Sequence, residues 1–418
     1  MSRLPLEHMR ILDLTQAWAG SYALQLVADL GAEVIKVESR SRPDGWRGGF
    51  DTSRGVACYP ADGPGEHPYN RSYLANSVNR NKYGITLDLT TVEGRQMFLD
   101  LVRVSDAVTE NFTPRVMGNL GIGYEKLREM RADIVLLSMP AFGLSGPYRD
   151  FPGNGGTIEA MSSSITLLGE VDGDIQTSGI MYPDPIAGMN GAAALLSALY
   201  RRQLTGEGCH IEVSQQEAMI AMLGEFFEDG QPAMLTRLGN RDLLMAPHGI
   251  FQCAGKEDWL ALAVRNDSDW SALVELIGDE QLRLGQYATV DGRKADETAI
   301  EERIGKWCAT RPGRLAEVEL AGAGIPAARV RAIEEVIACP QLNGTGYFQP
   351  VAQPEGIPPA IEPGILVRLE DTPGSVRLPP VSHGEHSREV LQRLLGIQSE
   401  TLDELEHRGV IGAGPPPA

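Results

Sequence analysis

Residues 9–38 read MRILDLTQAWAGSYALQLVADLGAEVIKVE, and this stretch decides the fold. Met9 to Leu14 is a short apolar run with the length of a strand. A small-residue stretch follows, and the apolar-periodic run from Tyr22 to Leu30 predicts a helix. Gly31 stands where a helix C-cap would, and Glu33 to Val37 supplies a second, β-branched strand. Strand, helix and strand in so short a span predict a βαβ unit and hence a parallel sheet.

Working outward, Ile85 to Leu89, Ala107 to Val108 and Ile134 to Ser138 have strand character, and Val92 to Arg103 has helical character with Glu93 in its first turn. The alternation predicts an α/β fold with a doubly wound, Rossmann-like domain. Ser39 to Asn70 is rich in Gly, Pro, Ser and Asp and reads as loop. Asp184 to Leu204, rich in Ala, Gly, Met and Leu, predicts a buried helix; Ile211 to Val213 reads as a strand and Gln215 to Phe226 as a helix. Gly230, Gln231 and Pro232 mark a boundary. Strand-like Gly249 to Gln252 and Trp259 to Val264, followed by helical Trp270 to Ile277, then predict a smaller α+β domain over about residues 230–330. The chain closes with a helical segment, His386 to Leu395, and the terminal GAGPPPA reads as a disordered tail.

Lys plus Arg total 37 against 56 Asp plus Glu, a net charge of -19, which repels a polyanion such as nucleic acid. An anionic ligand therefore needs local cations or helix N-termini that act against the global sign. The five cysteines are scattered singly, an odd number without a CxxC pair, which fits a reducing cytoplasm. The opening residues carry no basic segment followed by a long apolar one, and no apolar run reaches roughly 18 residues, so neither export nor membrane insertion is expected. Zinc-ligand spacings, a P-loop and a G-x-S-x-G elbow are all missing, so no metal centre is expected. The first strand-to-helix loop, Asp13 to Gly20, faces the ligand crevice of a parallel sheet and makes Ala17 and Ala19 binding candidates.

Seven ordered segments carry a more specific pattern. They are Asp13 to Glu38; NRNKYGITLDL from Asn79; ENFTPRVMGNLGIGYEKL from Glu110; FGLSGPYRDFPG from Phe142; DPIAGMNGAAALLSALYRRQLTGEGCHIEVSQQEA from Asp184; GIPAARVRAIEEVIACPQL from Gly324; and GEHSREVLQRLLG with a final GVI from Gly384. In this order they resemble the class III CoA-transferase family along almost the whole chain. The resemblance implies a large Rossmann-like domain built from residues 1–229 and 331–418, a small domain between them, and a homodimer of interlocked chains. It also implies transfer of coenzyme A between an acyl-CoA and a small organic acid, through an anhydride on an enzyme carboxylate.

By the same resemblance, Lys82 and Arg80 of the N-x-N-K segment meet CoA phosphates, and Asn111 and Phe112 line the CoA groove. Arg115 stands where relatives carry glycine, and Arg42 and Arg47 lie in a loop that often holds a phosphate- or adenine-contacting Arg. The family pattern departs at Gly153 to Ser163. Alignment on Ala160 and Ser162 puts Gly155 at the position of the usual catalytic Asp and Glu159 four residues later. On a helix Glu159 shares that face, one turn or about 6 Å on. This makes Glu159 the leading nucleophile candidate, against the plainer reading of a helix N-terminal Glu. Asp184 is a second carboxylate, read as the anchor of the helix that follows it. No histidine lies between His67 and His210, which disfavours a racemase. The alternatives are a hydrolase or lyase of the same fold, or a non-catalytic CoA-binding subunit paired with a paralogue. Trp18, Met139, Phe142, Met181 and Tyr182 are candidates for the substrate pocket.

Overall fold

The computed structural model describes residues 4–50, 58–224, 226–227 and 237–416. The chain divides into two units. One comprises Met1–Ile165, Thr177–Asp229 and Gln341–Ala418, and the other Thr166–Gln176 with Gly230–Pro340. The boundary read at Gly230 to Pro232 lies outside the described residues, as do part of the loop read at Ser39 to Asn70 and Glu225 in the helix read at Gln215 to Phe226.

The first unit is built on six parallel strands: β1 Arg10–Asp13, β2 Glu33–Glu38, β3 Lys82–Thr86, β4 Ala107–Glu110, β5 Val135–Ser138 and β6 His210–Glu212. Their order is β3-β2-β1-β4-β5-β6, so the direction of winding reverses between β1 and β4. In such sheets ligands bind outside the strand C-termini at that reversal. The first helix, α1 (Ala19–Asp29), and α2 (Val92–Arg103) lie on opposite faces. Leu12, Ile35, Val108 and Leu136 pack with Phe98 and Leu101 of α2 and with Val390 and Leu402 from the C-terminal segment. Their strand neighbours Ile11, Val34, Ala107 and Leu137 pack the other way, against Leu24 and Val27 of α1. The period-two alternation of a strand thus fills two cores at once.

Two further helices, α3 (Gly155–Met161) and α4 (Pro183–Thr205), carry the candidate site, and α5 (Gln215–Ala221) follows β6. The small residues of α4 let its backbone approach α1 closely. A Cβ on Gly188 would stand 2.8 Å from the Ala19 carbonyl oxygen, closer than carbon and oxygen tolerate. In the second unit β7 (His248–Gln252), β8 (Trp259–Ala263) and β9 (Ala327–Arg329) form an antiparallel sheet over a core that includes Leu260, Leu262, Trp270 and Ile304. Among the described residues no helix is long and apolar enough to cross a membrane.

Two expectations are corrected. Strand β3 begins at Lys82, three residues before the apolar run read from Ile85, because Lys82 is fully buried and ion-paired and so fills an interior position that a hydrophobicity pattern skips. The tail read as disordered is held as far as Pro415. Arg40 donates to the carbonyl oxygens of Ile411 at 2.8 Å, of Gly414 at 3.2 Å and of Pro415.

Lys82 donates to Asp13 at 3.0 Å, to the Ser21 carbonyl at 3.0 Å and to Asn79 at 2.9 Å. Removing one member of a buried pair leaves the other charge unpaired in the core, at a cost of about 3–5 kcal/mol. Lys82→Ala is therefore expected to lower unfolding free energy by about that amount in urea titration. Arg42→Ala, at an exposed site, should leave the urea midpoint unchanged.

Candidate active site at the sheet reversal

The loop after β1 is fixed from below. Asp13 is fully buried and accepts the Thr15 N–H at 2.8 Å and the Thr15 hydroxyl at 2.6 Å. Lys36, buried on β2, donates to the Thr15 carbonyl at 2.8 Å and pairs with Asp44 at 3.2 Å. Asp44 in turn accepts the Ala17 N–H at 2.9 Å and the Trp46 N–H at 3.0 Å. Ala17 is held at φ +56°, in the left-handed region that a non-glycine residue rarely occupies. From the other side of the reversal, Asn111 accepts the Gln16 N–H and donates to the Gln16 carbonyl, both at 2.8 Å. The result is a rigid entry into α1. The cap residue Trp18 makes no side-chain bond, so the first N–H groups of α1 are left for an external acceptor.

Asp184 stands beside that end, where the backbone N–H groups of Ala19 and of Asp184 favour its charge, while the Asp184 N–H itself is donated to the Met181 carbonyl at 3.1 Å. Asp184 lies in the first turn of α4 and is buried, and its Oδ2 has no hydrogen-bond partner. Burial pushes its carboxyl up to about 6, and the Glu159 charge adds to the rise against the pull of the two backbone donors. The helix cap is Tyr182, which makes no side-chain bond, and Asp184 is the acidic residue of the first turn, where a negative charge suits the helix N-terminus.

Gly155 is the first residue of α3, and Asn154 caps that helix through a reciprocal bond with Thr157. A Cβ at Gly155 would lie 2.4 Å from Met181 Cβ and 2.5 Å from Asp184 Oδ2. No side chain fits there, because Asp184 already fills the space that a carboxylate at 155 would claim. Glu159 is buried one turn on, and both its oxygens are taken. Oε1 accepts the Ser178 hydroxyl and, at 3.3 Å, the Tyr182 N–H, and Oε2 accepts the Ser178 N–H at 3.4 Å. Glu159 therefore fastens the segment that enters α4, and its carboxylate is engaged rather than free.

The residues expected to hold CoA fall into three groups. Ala17, Ala19, Asn111 and Phe112 gather at the reversal; Phe112 also packs on the core of the first unit. Arg42 and Arg115 are exposed and carry no ion pair among the described residues. Arg80 and Lys82 are interior. Arg80 makes a two-pronged bond to Asp29 at 2.7 and 3.2 Å, and Lys82 is enclosed with Asp13, so neither cation reaches the surface to meet a phosphate. Arg47 is likewise buried against Glu38 at 2.7 Å. Met139 sits in the core and Phe142 is buried; Trp18 and Met181 line a cavity, while Tyr182 is exposed.

Sequence reading missed Asp44 and Ser178, whose signals are a Pro-Asp-Gly turn and a lone serine. It also missed Glu110 at the end of β4, which burial pushes up to about 7 although the Ser138 hydroxyl and the Phe112 N–H favour its charge.

A family model described as CoA-transferase family III matches residues 6–387. The chain is similar to a succinate–glutarate CoA-transferase of Agrobacterium fabrum, 31% identical over 405 residues that cover 94% of this chain and 96% of the relative. It is also similar to a succinyl-CoA–D-citramalate CoA-transferase of Chloroflexus aurantiacus, 29% identical over 411 residues, 97% of this chain and 98% of the relative. Among solved structures, a CAIB/BAIF family protein from Brucella suis superposes with a TM-score of 0.82 at 27% identity, over 94% of this chain and 100% of that one.

The contact at Gly155 supplies a direct check. Gly155→Ala should displace Met181 or the Asp184 carboxylate and cost about 1–3 kcal/mol, read as a lower melting temperature. An unchanged melting temperature would show that the 155–184 contact is loose.

Proposed function

The chain belongs to CoA-transferase family III, and we propose that it moves coenzyme A from an acyl-CoA to a carboxylic acid with Asp184 as the nucleophile. The observation that carries this reading is Asp184 Oδ2, a buried carboxylate oxygen without a partner beside the N-terminus of α1. The Asp184 oxygen attacks the thioester carbon, the carbonyl electrons move to oxygen, and the N–H groups of α1 that follow Ala19 stabilise the oxyanion. Collapse expels CoA thiolate and leaves a mixed anhydride between Asp184 and the acyl group. Attack of the thiolate on the Asp184 carbonyl then releases the first acid and leaves a CoA thioester on Asp184. The incoming acid's carboxylate displaces that thiolate to form a second anhydride, and CoA leaves on the new acyl group. No metal or redox partner enters any step. CoA phosphates are assigned to the exposed Arg42 and Arg115, which carry no ion pair among the described residues. Glu159 is a positioning residue: it holds Ser178 and Tyr182 and raises the basicity of Asp184 through its charge.

A homodimer is part of the same reading, supported by apolar side chains on α4 left at high exposure, Tyr200 at 64% and Leu204 at 68%. Sedimentation at nanomolar concentration should give twice the chain mass; a monomer would refute the dimer.

Two outcomes test the nucleophile. Asp184→Asn should lower transfer roughly a thousandfold or more with folding intact, and hydroxylamine trapping during turnover should mark Asp184 in the wild type. Label on Glu159 instead would overturn the assignment. The reactive form is the carboxylate, so kcat/KM should rise with pH through about 6 and level off above it. In Glu159→Gln the neighbouring negative charge is gone, and the inflection should move to lower pH. A purely structural Glu159 would change the rate without moving the inflection.

A further inference from the structure

Pro185 and Met181, on either side of Asp184, line a cavity of about 590 Å³ whose other apolar walls include Trp18, Trp46, Leu74 and Val78. This is the volume of a pocket for a small organic molecule. Trp18 and Trp46 stand with ring centroids 5.6 Å apart and planes tilted by 39°, a rigid aromatic wall. Trp18 immediately precedes Ala19, the first residue of α1, and Met181 and Pro185 flank Asp184 in the chain, so the cavity adjoins both the start of α1 and the turn that carries Asp184.

The charged groups at the cavity are Asp29, Arg80 and Glu362. Arg80 is fully committed to Asp29, to Glu362 at 3.4 Å, to the Pro363 carbonyl at 2.6 Å and to the Gly364 carbonyl at 3.3 Å. Two carboxylates thus share one guanidinium, and among the described lining residues no cation remains for a second acid group. A substrate carrying a second carboxylate would bring it, unpaired, into an apolar cavity of negative sign. The cavity does offer one neutral polar group with unmet capacity, Gln25, whose buried Oε1 has no partner.

We propose that this cavity receives the body of the transferred acyl group, and that the enzyme acts on monocarboxylic acids with an apolar, ring-sized body rather than on dicarboxylic acids. The proposal rests on Asp184 as the acylated residue. Each methylene that enters such a wall contributes roughly fourfold to kcat/KM. A second carboxylate has no partner there and forfeits that gain.

The test uses the full-length enzyme with 3-phenylpropanoyl-CoA, propanoyl-CoA and glutaryl-CoA, and reads the rate of CoA release with hydroxylamine trapping at Asp184. 3-Phenylpropanoyl-CoA should react at least about tenfold faster than glutaryl-CoA at equal, subsaturating concentration. Ser77, an exposed residue at the cavity, is changed in Ser77→Trp to fill it. That variant should reduce the ratio of 3-phenylpropanoyl to propanoyl rates by about tenfold. A preference for glutaryl-CoA, or a ratio indifferent to Ser77→Trp, overturns the proposal. Loss of the dimer in Ser77→Trp with unchanged acyl preference assigns the cavity to a second copy of the chain and equally overturns it.

Binding of free 3-phenylpropanoate and glutarate to the Asp184→Asn protein, followed by tryptophan fluorescence, reads the cavity without the chemistry. If no thioester marks Asp184 yet 3-phenylpropanoate binds selectively and Ser77→Trp abolishes that binding, the nucleophile reading fails and the cavity assignment stands. If 3-phenylpropanoate does not bind while Asp184 is marked, the cavity assignment alone fails.

Discussion

Everything at the sheet reversal depends on two ammonium groups buried on neighbouring strands. Lys36 and Lys82 have no solvent exposure, and between them they hold Asp13, Asp44 and the carbonyls of Thr15 and Ser21. Burial pulls Lys82 down to about 8, opposed by Asp13, and the two lysines together hold Asp13 below the usual carboxylate range in spite of its own burial. Such a network is poor value as raw stability, since apolar residues of the same volume pack as well without desolvation. What it supplies is direction. It leaves the Asp13 to Ala19 loop a single conformation, with Ala17 forced to positive φ, and so fixes where α1 begins.

The same use of charge recurs along the N-x-N-K segment. Asn79, Arg80, Asn81 and Lys82 are all buried. Arg80 bonds the carbonyls of Pro363 and Gly364, while the Asn81 side chain accepts the N–H groups of Arg377 at 2.6 Å and of Leu378 at 2.9 Å. These residues fasten the returning C-terminal segment to the sheet. A cation so enclosed cannot also serve a mobile phosphate. For a chain of net charge -19 this is why the proposed function assigns the CoA phosphates to exposed cations instead.

The parallel sheet was legible because its signals are local. Apolar periodicity and a Gly stop define the first βαβ unit, and Thr91, whose side chain accepts the Gly94 N–H, marks the start of α2 where it was read. The start of β3 was not legible, because an ion-paired lysine in a core position looks polar to any hydrophobicity pattern. The contact on which the proposed nucleophile rests was not legible for a different reason. Spacing along one helix relates Gly155 to Glu159, but the decisive contact joins Gly155 to Asp184, which belong to different helices and meet only after the chain has folded. Burial without a partner, the property that distinguishes Asp184 from Glu159, has no sequence signature.

Two carboxylates close together must divide their roles by environment, and here the division is visible in their donors. Glu159 is satisfied by a hydroxyl and two backbone N–H groups, so its charge is balanced and its oxygens are fixed. Asp184 keeps one oxygen bare, and burial with the Glu159 charge lifts its basicity toward neutrality. A bare, basic oxygen is the better nucleophile, which is why the proposed mechanism assigns that role to Asp184. The same burial bears on the outcome of the reaction. An anhydride on Asp184 is destroyed by any water that reaches it, and transfer requires that an acid arrive first. Burial of that oxygen near a cavity with aromatic walls disfavours water more than it disfavours an apolar acid. In the proposed mechanism, the packing that leaves no room for a side chain at Gly155 therefore works in favour of transfer over hydrolysis.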